Sequence, residues 1–443
     1  MKHASFFVLL ALCAGVACNS QGHKDPGEDS TTVAAGGHNG VADSLPAPYA
    51  TKSVTNFSKV LGWSDGKTPK APAGFTVTKY ADGFQNPRWI YVLPNGDVLV
   101  AEANTKRNLP KKIKEVVTGK AQSGNMRESA DRITLLRDAN NDGQPEVRAV
   151  FLENLNQPLG MLLLKDQFYV ANTDGILVFP YKVNATRIDG KGRQILTLPA
   201  GGYNNHWTRN IISNKDGSRI FVSVGSGSNV GEHGMENELR RANILEISPD
   251  GSGERIYASG LRNPVGMDWA PGSHVLWTVV NERDELGDEL VPDYLTGVKP
   301  NGFYGWPYAY FGQHEDPRLK GQRPDLVAKT LVPDVPLGSH TASLGLVFYN
   351  TTIFPSRYQN GAFIGQHGSW NRSALSGYKV VFVPFANGRP SGAPEDFLTG
   401  FMAEGSKSEV YGRPVGLAVA RDGALLVADD AANTIWRVSA SKP

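Results

Sequence analysis

The sequence predicts an all-β protein, a six-bladed β-propeller with four-stranded antiparallel blades. The first observation is a pattern that recurs six times: a turn, often with proline, an apolar run, a polar turn that often contains Asp-Gly or Asn-Gly, and a second apolar run. The second is the alternation within these runs, which is typical of strands joined at hairpin spacing. The third is that no stretch shows a sustained helical period with caps.

The six copies of this hairpin predict where each blade begins. They lie at residues 86–101, 157–171, 207–223, 263–277, 343–365 and 413–428. The chain beyond residue 55 exceeds the usual size of one hydrophobic core, and an internally repeated fold escapes that limit. With four strands per blade, six copies predict six blades. A large β-sandwich array is the alternative, but it would not place the same hairpin six times.

The start of the chain has the features of a secretory signal peptide. A basic start at Lys2 and His3 precedes an apolar run over residues 6–18, which is shorter than the roughly 20 residues that a membrane span needs. Ala17 is the small residue that a lipoprotein signal places before its cysteine, so we expect lipidation at Cys18, with ordinary cleavage nearby as the alternative. We therefore predict an exported protein, either periplasmic or membrane-anchored as a lipoprotein.

Composition divides the rest of the chain and excludes several functions. After the signal peptide (1–18), residues 19–55 are rich in small and polar side chains, which predicts a flexible linker before a propeller domain at 56–443. Both cysteines, Cys13 and Cys18, lie in the signal, which leaves no thiol for a disulfide or a thiolate site. The formal net charge of +2, without a basic stripe, gives no case for nucleic acid.

Three loops near predicted blade openings carry candidate chemistry. Arg262 and Asn263 open the fourth copy, where a guanidinium fork and an amide suit a carboxylate ligand, although Arg262 could also lie on the surface. Five carboxylates fall within residues 282–289, which favours a calcium site or a solvated acidic loop. His206 opens the third copy and could be a general base or a packed side chain.

Together these segments resemble the soluble PQQ-dependent sugar dehydrogenases, where PQQ is pyrroloquinoline quinone. The likeness is strongest to the sorbosone-dehydrogenase-like branch and covers nearly all of the chain beyond residue 70. The further segments that carry it are Phe303-Tyr304-Gly305-Trp306-Pro307, residues 281–295, His367-Gly368-Ser369-Trp370-Asn371-Arg372 and Trp436-Arg437-Val438. The family's fold is a six-bladed propeller, which agrees with the repeat count.

The resemblance implies a cofactor, a metal and a base. It implies that His206 takes the hydroxyl proton of the substrate while hydride passes to the quinone, and that calcium polarises the accepting carbonyl. It implies that Arg262 and Asn263 contact PQQ and that Arg413 holds one of its carboxylates. The implied calcium ligands are the backbone carbonyls of Arg283 and Asp284, the side chain of Asp288 and the carbonyl of Tyr304.

The chain departs from the glucose-oxidising relatives at several positions. Val415 stands where they have a second arginine, and their fifth-blade lysine has no clear partner within residues 365–368. The side chains that could replace these charges are His340, His367 and Arg372. The glutamine that the relatives place near the substrate corresponds to Gln157 or Asn156, and Arg209 is a further candidate substrate contact.

Because of these departures, the substrate of the relatives cannot be carried over to this chain. We predict oxidation of a sugar, or of a sugar-derived aldehyde as its hydrate, as in sorbosone oxidation. Since the sequence contains no Cys-x-x-Cys-His motif, we expect electrons to pass to a separate acceptor, a cytochrome or a quinone.

Two other functions are compatible with a propeller. A calcium-dependent lactonase or esterase would need no arginine clamp, which Arg262, Arg413 and Arg209 argue against. A non-catalytic binding propeller would be expected to lack the base or the clamps.

Two further motifs are weaker. Residues 138–143 begin like a helix–loop–helix calcium site, but Ala149 stands where that motif needs glutamate, so they predict a tight turn, with a second structural calcium as the alternative. The Gly225-Ser226-Gly227 segment lacks the third glycine and the crossover helix of a dinucleotide site.

Overall fold

Six four-stranded antiparallel sheets follow one another along the chain in the computed structural model, which describes residues 44–64, 66–124 and 126–441. We call them blades 1 to 6. This confirms the predicted six-bladed propeller with four-stranded blades. The predicted signal peptide, Cys18 and residues 19–43 of the predicted linker lie outside the described residues.

Each of the first three blades consists of four strands that are consecutive in sequence. Those of blade 1 are Pro87–Val92, Val98–Glu102, Arg132–Arg137 and Val147–Leu152. Those of blade 2 are Met161–Leu164, Gln167–Asn172, Gly175–Pro180 and Arg193–Thr197. Those of blade 3 are Arg209–Ser213, Ile220–Val224, Asn243–Ile247 and Arg255–Ser259.

Blades 4 and 5 carry small insertions, and blade 6 takes one strand from the beginning of the described chain. The strands of blade 4 are Pro264–Trp269, Leu276–Val280, Pro292–Gly297 and Val335–Ser339. Those of blade 5 are Ser343–Phe348, Ala362–Gln366, Lys379–Val383 and Glu395–Leu398. Those of blade 6 are Pro414–Val419, Leu425–Asp429, Thr434–Ala440 and Phe75–Ala81.

A strand from the beginning of the described chain completes blade 6 and so closes the ring. Phe75–Ala81 pairs antiparallel with Thr434–Ala440, with Phe75 opposite Ala440 and Val77 opposite Val438. The two ends of the propeller are thus joined by one ladder of hydrogen bonds.

Every predicted hairpin forms the first two strands of a blade, and glycines in four copies show why the pattern repeats. A Cβ at Gly160 would lie 2.6 Å from the Ile211 nitrogen, and one at Gly266 would lie 2.7 Å from the Leu346 nitrogen. At Gly345 and Gly416 the nearest atoms would be the carbonyl oxygens of Val415, at 2.0 Å, and of Arg88, at 2.6 Å. The first strands of neighbouring blades therefore approach too closely for a side chain at these positions.

Short elements decorate the blades. The helices are Leu109–Val117 and Pro324–Val327, and the 3₁₀ segments are Lys120–Ser123, Met235–Glu238 and Ser356–Tyr358. The two-stranded pairs are Lys59–Val60 with Glu409–Val410, Ala309–Tyr310 with His314–Glu315, and Phe385–Ala386 with Arg389–Pro390. None of the helices in the described part of the chain is long and apolar enough to cross a membrane.

The helix Leu109–Val117 corrects the expectation that no stretch is helical with caps. Asn108 caps it by accepting a hydrogen bond from the Lys111 nitrogen, and Thr118 donates to the Lys114 carbonyl at its end. It lies in a long insertion, residues 103–131, between the second and third strands of blade 1.

The last residues of the predicted linker contact the propeller. The Tyr49 nitrogen donates to the Leu286 carbonyl at 2.8 Å, and the Thr51 hydroxyl accepts from the Asp288 nitrogen at 2.7 Å. Contacts with the blade 4 loop therefore begin before the predicted domain boundary at residue 56.

Candidate active site

Loops from all six blades meet at one end of the propeller, which we call the mouth. The loop before the first strand of a blade and the loop after its second strand are joined there by backbone hydrogen bonds. Examples are the Asn281 nitrogen to the Asn263 carbonyl, at 3.1 Å, and the Asp430 nitrogen to the Arg413 carbonyl, at 3.3 Å. The predicted site residues from different blades therefore lie at the same end.

His206 is held in one tautomer. Its Nδ1 lies 2.9 Å from the Ser226 carbonyl oxygen, which can only accept, so Nδ1 carries the proton and a neutral ring has its lone pair on Nε2. Nε2 makes no hydrogen bond to any described residue. Burial, together with the charge of Arg262, lowers the pKa of His206 to about 3. The ring is therefore neutral at physiological pH, with a free basic nitrogen.

Arg209 holds the loop that carries His206. It is fully buried, and its guanidinium donates to the carbonyls of His206, at 2.7 Å, and Thr208, at 2.9 Å. The same group also reaches the Pro199 carbonyl, at 2.7 Å. Protein acceptors thus occupy both Nη atoms of Arg209, whereas its buried Nε has no hydrogen-bond partner among the described residues. Arg209 therefore positions the loop of His206, and its predicted contact with substrate stays a prediction.

Asn263 brings an unsatisfied amide next to His206. Its side chain is buried, and its Oδ1 has no hydrogen-bond partner among the described residues. Gly225 separates the two: a Cβ there would lie 2.4 Å from Asn263 Oδ1 and 2.7 Å from His206 Cβ. The absence of a side chain at Gly225 thus allows the amide and the imidazole to lie side by side.

Arg262 is a buried hub that links blades 3 and 4. Its guanidinium donates to the Glu282 carbonyl at 2.6 Å, to Asn229 Oδ1 at 2.8 Å and to Asp284 Oδ2 at 3.2 Å. Nε donates to the Asn229 carbonyl at 3.1 Å. Arg262 therefore fixes the loops around His206, and the protein already occupies most of its donors.

His340 and Asp284 form a partly buried pair beside Arg262. His340 Nδ1 lies 3.3 Å from Asp284 Oδ1, and its Nε2 lies 2.8 Å from the Gly287 carbonyl. Burial raises the pKa of Asp284, but the bond from His340 and the charge of Arg262 outweigh burial and leave the pKa below its ordinary value. For His340 burial lowers the pKa, and Asp284 outweighs this and raises it. We call Arg262, Asn263, Asp284, His340 and His206 the His206 cluster.

The predicted calcium loop is braced from both sides. The Arg283 guanidinium pairs with buried Asp316 and also donates to the Asp284 carbonyl of its own loop. The Asp288 carboxylate accepts from the Ser373 nitrogen at 3.0 Å and from the Ser373 hydroxyl. Arg372 donates to the Asp288 carbonyl at 2.9 Å and pairs with Glu289. Asp288 and Arg372 thus meet at the outer side of the loop, and their predicted roles toward metal and cofactor stay predictions.

Tyr304 is buried below the same loop. Its hydroxyl donates to the Gly297 carbonyl at 3.0 Å, and its nitrogen donates to the Ser259 carbonyl at 2.9 Å. Two residues on, Trp306 donates from Nε1 to the Asn229 carbonyl at 2.9 Å. The Tyr304 segment is therefore tied to the same hub as Arg262.

A second group, the Asp430 cluster, joins blades 1, 5 and 6. Asp430 accepts from Arg88 Nη1 at 2.5 Å and from His367 Nε2 at 2.9 Å, and Arg413 Nε lies 3.3 Å away. Burial alone would raise the pKa of Asp430, but these three neighbours hold it well below its usual range. Burial lowers the pKa of His367 to about 4. The Nε atoms of Arg88 and Arg413 are buried without a hydrogen bond.

A polar cavity of about 200 Å³, the mouth pocket, lies over the Asp430 cluster. Trp207, next to His206 in sequence, forms part of its wall, and Trp207 donates to the Thr105 hydroxyl of the blade 1 insertion at 3.0 Å. The charged side chains that line the pocket are Arg88, Arg107, Lys120, Arg413 and Asp430. This excess of cations suits an anionic ligand.

Gln157 lies at the opening of blade 2 but is engaged by the protein. Its amide donates from Nε2 to the Asn104 carbonyl at 2.9 Å, and its nitrogen donates to Asp131 Oδ1 at 2.9 Å. Its predicted contact with substrate stays a prediction.

Several residues of the site were missed by sequence reasoning. Arg88 lies in the first predicted hairpin, and an arginine at a blade opening is a signal comparable to that of Arg413. Asn229 and Asp430 carry no local signal, because their importance comes from partners in other blades. Glu282 is a buried carboxyl whose pKa burial raises to about 7.

The acidic loop at residues 138–146 is a hairpin turn of blade 1, as predicted. Asp138 accepts from the nitrogens of Asp142 and Gly143, and Glu146 accepts from the Ala139 nitrogen. Single oxygens of Asp138, Asp142 and Glu146 lie within 4.8 Å of one another. Since the carboxylates already bind the turn's own backbone, a second calcium stays an alternative only.

The comparison with protein families decides where this chain belongs. The model of the TrAA12-like family matches residues 69–293 and 324–441, which span five of the blades completely and most of blade 4. The chain belongs to the TrAA12-like family. The match includes every predicted site residue except Tyr304.

Relatives of this TrAA12-like chain include sugar dehydrogenases. A protein of Borreliella burgdorferi is 30% identical over 297 residues, 65% of this chain and 76% of that protein. An aldose sugar dehydrogenase of Escherichia coli is 33% identical over 123 residues, 27% of this chain. A PQQ-dependent pyranose dehydrogenase of Coprinopsis cinerea is 29% identical over 229 residues, 41% of this chain. The match spans 30% of the length of each of these two enzymes.

Solved structures share the fold of the TrAA12-like chain. The calcium structure of the Trichoderma reesei family AA12 enzyme has a TM-score of 0.68 at 18% identity, covering 84% of this chain and 97% of that one. The holo PQQ domain of the Coprinopsis cinerea pyranose dehydrogenase has a TM-score of 0.67 at 20% identity, covering 86% of this chain and 100% of that one. The predicted resemblance to PQQ-dependent sugar dehydrogenases is confirmed, whereas the sorbosone branch stays a prediction.

Proposed function

We propose that this chain is a PQQ- and calcium-dependent dehydrogenase that oxidises a sugar or a sugar-derived aldehyde. The observation that carries the proposal is His206, a neutral imidazole with a free Nε2, next to the unsatisfied amide oxygen of Asn263. The named relatives support oxidation of sugars, since they are an aldose sugar dehydrogenase and a PQQ-dependent pyranose dehydrogenase. The finer substrate, of sorbosone type, is part of the proposal.

The residues at the mouth fit a tricarboxylate such as PQQ. Arg413 and Arg88 each have a buried Nε without a hydrogen bond, and both line the mouth pocket. Arg88 supplies, from blade 1, a positive charge close to Arg413 where Val415 offers none. Asn263 would add an amide contact from blade 4. Arg262 and His340 would act by fixing the surrounding loops, because protein acceptors already occupy their nitrogens.

Calcium would be held by the blade 4 loop and the Tyr304 segment. The candidate ligands are the backbone carbonyls of Arg283, Asp284 and Tyr304, with Asp288 in addition. The Asp284 carboxylate remains ionised because His340 and Arg262 hold its pKa low, so it adds negative charge for a divalent cation. When bound, PQQ and calcium supply the two-electron acceptor and the Lewis acid.

The protein itself performs the proton transfer. His206 Nε2 accepts the hydroxyl proton of the sugar or of the aldehyde hydrate, as the hydride leaves the same carbon. The imidazolium that results keeps its Nδ1–H bond to the Ser226 carbonyl and gains attraction from Asp284. Arg209 keeps the ring in place by holding the His206 carbonyl.

The experiment that tests the proposal is reconstitution. Apo-protein is mixed with PQQ, calcium and a dye acceptor, and is offered a panel of aldoses, aldehydes and lactones. Dye reduction that requires PQQ supports the dehydrogenase, and the ranking of substrates separates aldose from aldehyde oxidation. Calcium-dependent lactone hydrolysis without dye reduction would mean that the propeller is a lactonase, and binding without turnover that it is a non-catalytic propeller.

Export and a lipid anchor at Cys18 belong to the same proposal. Incorporation of labelled palmitate that is lost in Cys18→Ser would support the anchor, and label-free wild type would contradict it. A separate acceptor, cytochrome or quinone, would then receive the electrons outside the cytoplasm.

A further inference from the structure

The helix Leu109–Val117 buries an acidic side chain and exposes its apolar side chains, which is the reverse of an ordinary surface helix. Its buried residue is Glu115, whose Oε2 pairs with Arg107 Nε at 2.5 Å. Its apolar side chains face solvent instead: Leu109 is 70% exposed, Ile113 56%, Val116 64% and Val117 80%. At about 100° per residue these four positions fall within an arc of about 100°, so they form one stripe.

This stripe, residues 109, 113, 116 and 117, is flanked by positive charge. Lys112 and Lys114 flank the stripe on the same helix, whereas Lys111 lies on the opposite face. The one acidic residue of the helix, Glu115, is buried and neutralised by Arg107. Among the described residues, Glu128 is the acidic partner of Lys112. An apolar stripe with lysines on its flanks complements a surface that is negative outside and apolar beneath.

Contacts within the insertion fix the orientation of this helix. The Asn108 cap, the Thr118 bond to the Lys114 carbonyl and the Arg107–Glu115 pair hold it with the stripe outward. Turning the stripe inward would require Glu115 and Arg107 to leave their buried pair, which is costly. The exposed stripe is therefore part of the folded state and needs an external partner.

We propose that this helix docks the protein on an anionic lipid bilayer, with the stripe inserted among the headgroups and the lysines on lipid phosphates. Leu, Ile and Val contribute apolar area, and each lysine near the surface adds attraction to anionic lipid. Arg107 and Lys120, on either side of the helix, also line the mouth pocket, so docking places the mouth next to the bilayer. The inference concerns binding and does not depend on the proposed function.

The test is sedimentation with lipid vesicles of the protein carrying Cys18→Ser, so that no acyl chain can form there. We expect binding to vesicles that contain phosphatidylglycerol and about tenfold weaker binding to phosphatidylcholine alone. The Ile113→Glu/Val117→Glu variant should lose at least about tenfold in binding to anionic vesicles. Reconstituted activity without vesicles gives a separate readout, so a failed cofactor proposal leaves this test intact.

The matched control changes apolar side chains that are equally exposed elsewhere. Val183→Glu and Ile353→Glu, at residues 74% and 54% exposed, should leave vesicle binding unchanged. Absence of wild-type binding to anionic vesicles would overturn the proposal, as would an equal loss in the control variants. A wild-type dimer in solution that dissociates in Ile113→Glu/Val117→Glu would also overturn it, because the stripe would then bind a second copy.

Discussion

At the scale of single residues, the proposed chemistry depends on how His206 is kept neutral and oriented. The Ser226 carbonyl fixes its tautomer, Arg262 and burial disfavour its charged form, and Arg209 holds its backbone. Of these partners, only Arg209 lies close to His206 in the sequence. The state of this proposed base is thus set by residues of blades 3 and 4 together.

The low pKa of His206 predicts an unusual pH profile. Because the pKa lies near 3, below the ordinary value of about 6.5, the ring stays neutral as the pH falls from 7.5 to about 5. We therefore expect that kcat/KM will not fall with a midpoint near pH 6.5, as it would if a histidine of ordinary pKa became protonated. Because the pKa of Glu282 is about 7, its ionisation would add a second pH dependence to kcat/KM. The pH profile is therefore measured in Glu282→Gln as well. A midpoint near 6.5 that persists in Glu282→Gln would contradict this account of the base.

Gly225 predicts a sharp steric effect. In Gly225→Ala the new methyl would meet Asn263 Oδ1 at 2.4 Å and His206 Cβ at 2.7 Å, so one of the two must move. We expect kcat to fall by about 10²-fold, because small misplacement of a reacting group has effects of this size. Gly201→Ala, where a Cβ meets no atom within 4 Å, is the matched control and should retain activity. Equal activity in both variants would show that the amide and the base need not be adjacent.

At the scale of elements, the blade 4 loop is shaped by segments from elsewhere in the chain. The Thr51 and Ser53 hydroxyls accept from the nitrogens of Asp288 and Gly287, and Asn371 accepts from the Glu285 nitrogen at 2.8 Å. A loop with five carboxylates would otherwise be spread by repulsion. These contacts hold its backbone in one shape, which a calcium site built partly from carbonyls requires.

The bracing of this loop predicts a change in calcium affinity. Thr51→Val/Ser53→Ala removes two acceptors from the loop's backbone, each hydrogen bond being worth about 1 kcal/mol. We expect calcium to bind several-fold more weakly, with little change in the unfolding midpoint, as measured by calcium titration and by thermal unfolding. Thr55→Val, at an exposed position of the same segment, should bind calcium like the wild type. Unchanged affinity in the double variant would mean that the loop does not hold the metal.

Elements differ in how far the sequence predicts them. The hairpins were predictable because their strands, turns and the close-packed glycines such as Gly266 are local signals. The apolar residues of the helix Leu109–Val117 have the spacing of an amphipathic helix, so the helix itself was open to prediction, whereas the exposure of its apolar face was not. The pair Arg88–Asp430 was also missed, because closure of the ring brings together residues from the first and last blades.

At the scale of the whole molecule, ring closure links stability to the site. Phe75, on the strand that completes blade 6, packs edge-on against Phe354, Tyr358 and Phe397 with ring centroids 4.7, 5.3 and 5.1 Å apart. The first and last blades can hold Arg88 and Asp430 together only while the ring is closed.

Phe75 therefore predicts a stability change. Phe75→Ala should lower the free energy of unfolding by about 2–4 kcal/mol, since it removes a partly buried aromatic group from three edge contacts. Thr76→Ala, on the exposed side of the same strand, should change it by less than about 0.5 kcal/mol. Denaturant unfolding of both variants makes the comparison. If Phe75→Ala lowered the free energy of unfolding as little as Thr76→Ala, this strand would not hold the ring closed.

Much of the molecule followed from the sequence, and the limits are physical. The fold, and the places of His206 and of the blade 4 loop at blade openings, were predictable from repeats and motifs. The actual partners of Arg209, Arg262 and His340 were not, because a motif gives a residue type and its place in a blade but not which acceptors from other blades reach it.

The most direct test of the central claim is a single turnover without any dye. Apo-protein is loaded with PQQ and calcium, freed of excess cofactor, and mixed anaerobically with an aldose or aldehyde that the reconstitution panel identifies as a substrate, while the absorbance of the bound quinone is followed. The account predicts reduction in the wild type, and equal PQQ retention but reduction about 10²–10⁴-fold slower in His206→Asn. Failure of the wild type to retain PQQ with calcium, or equally fast reduction in His206→Asn, would contradict it.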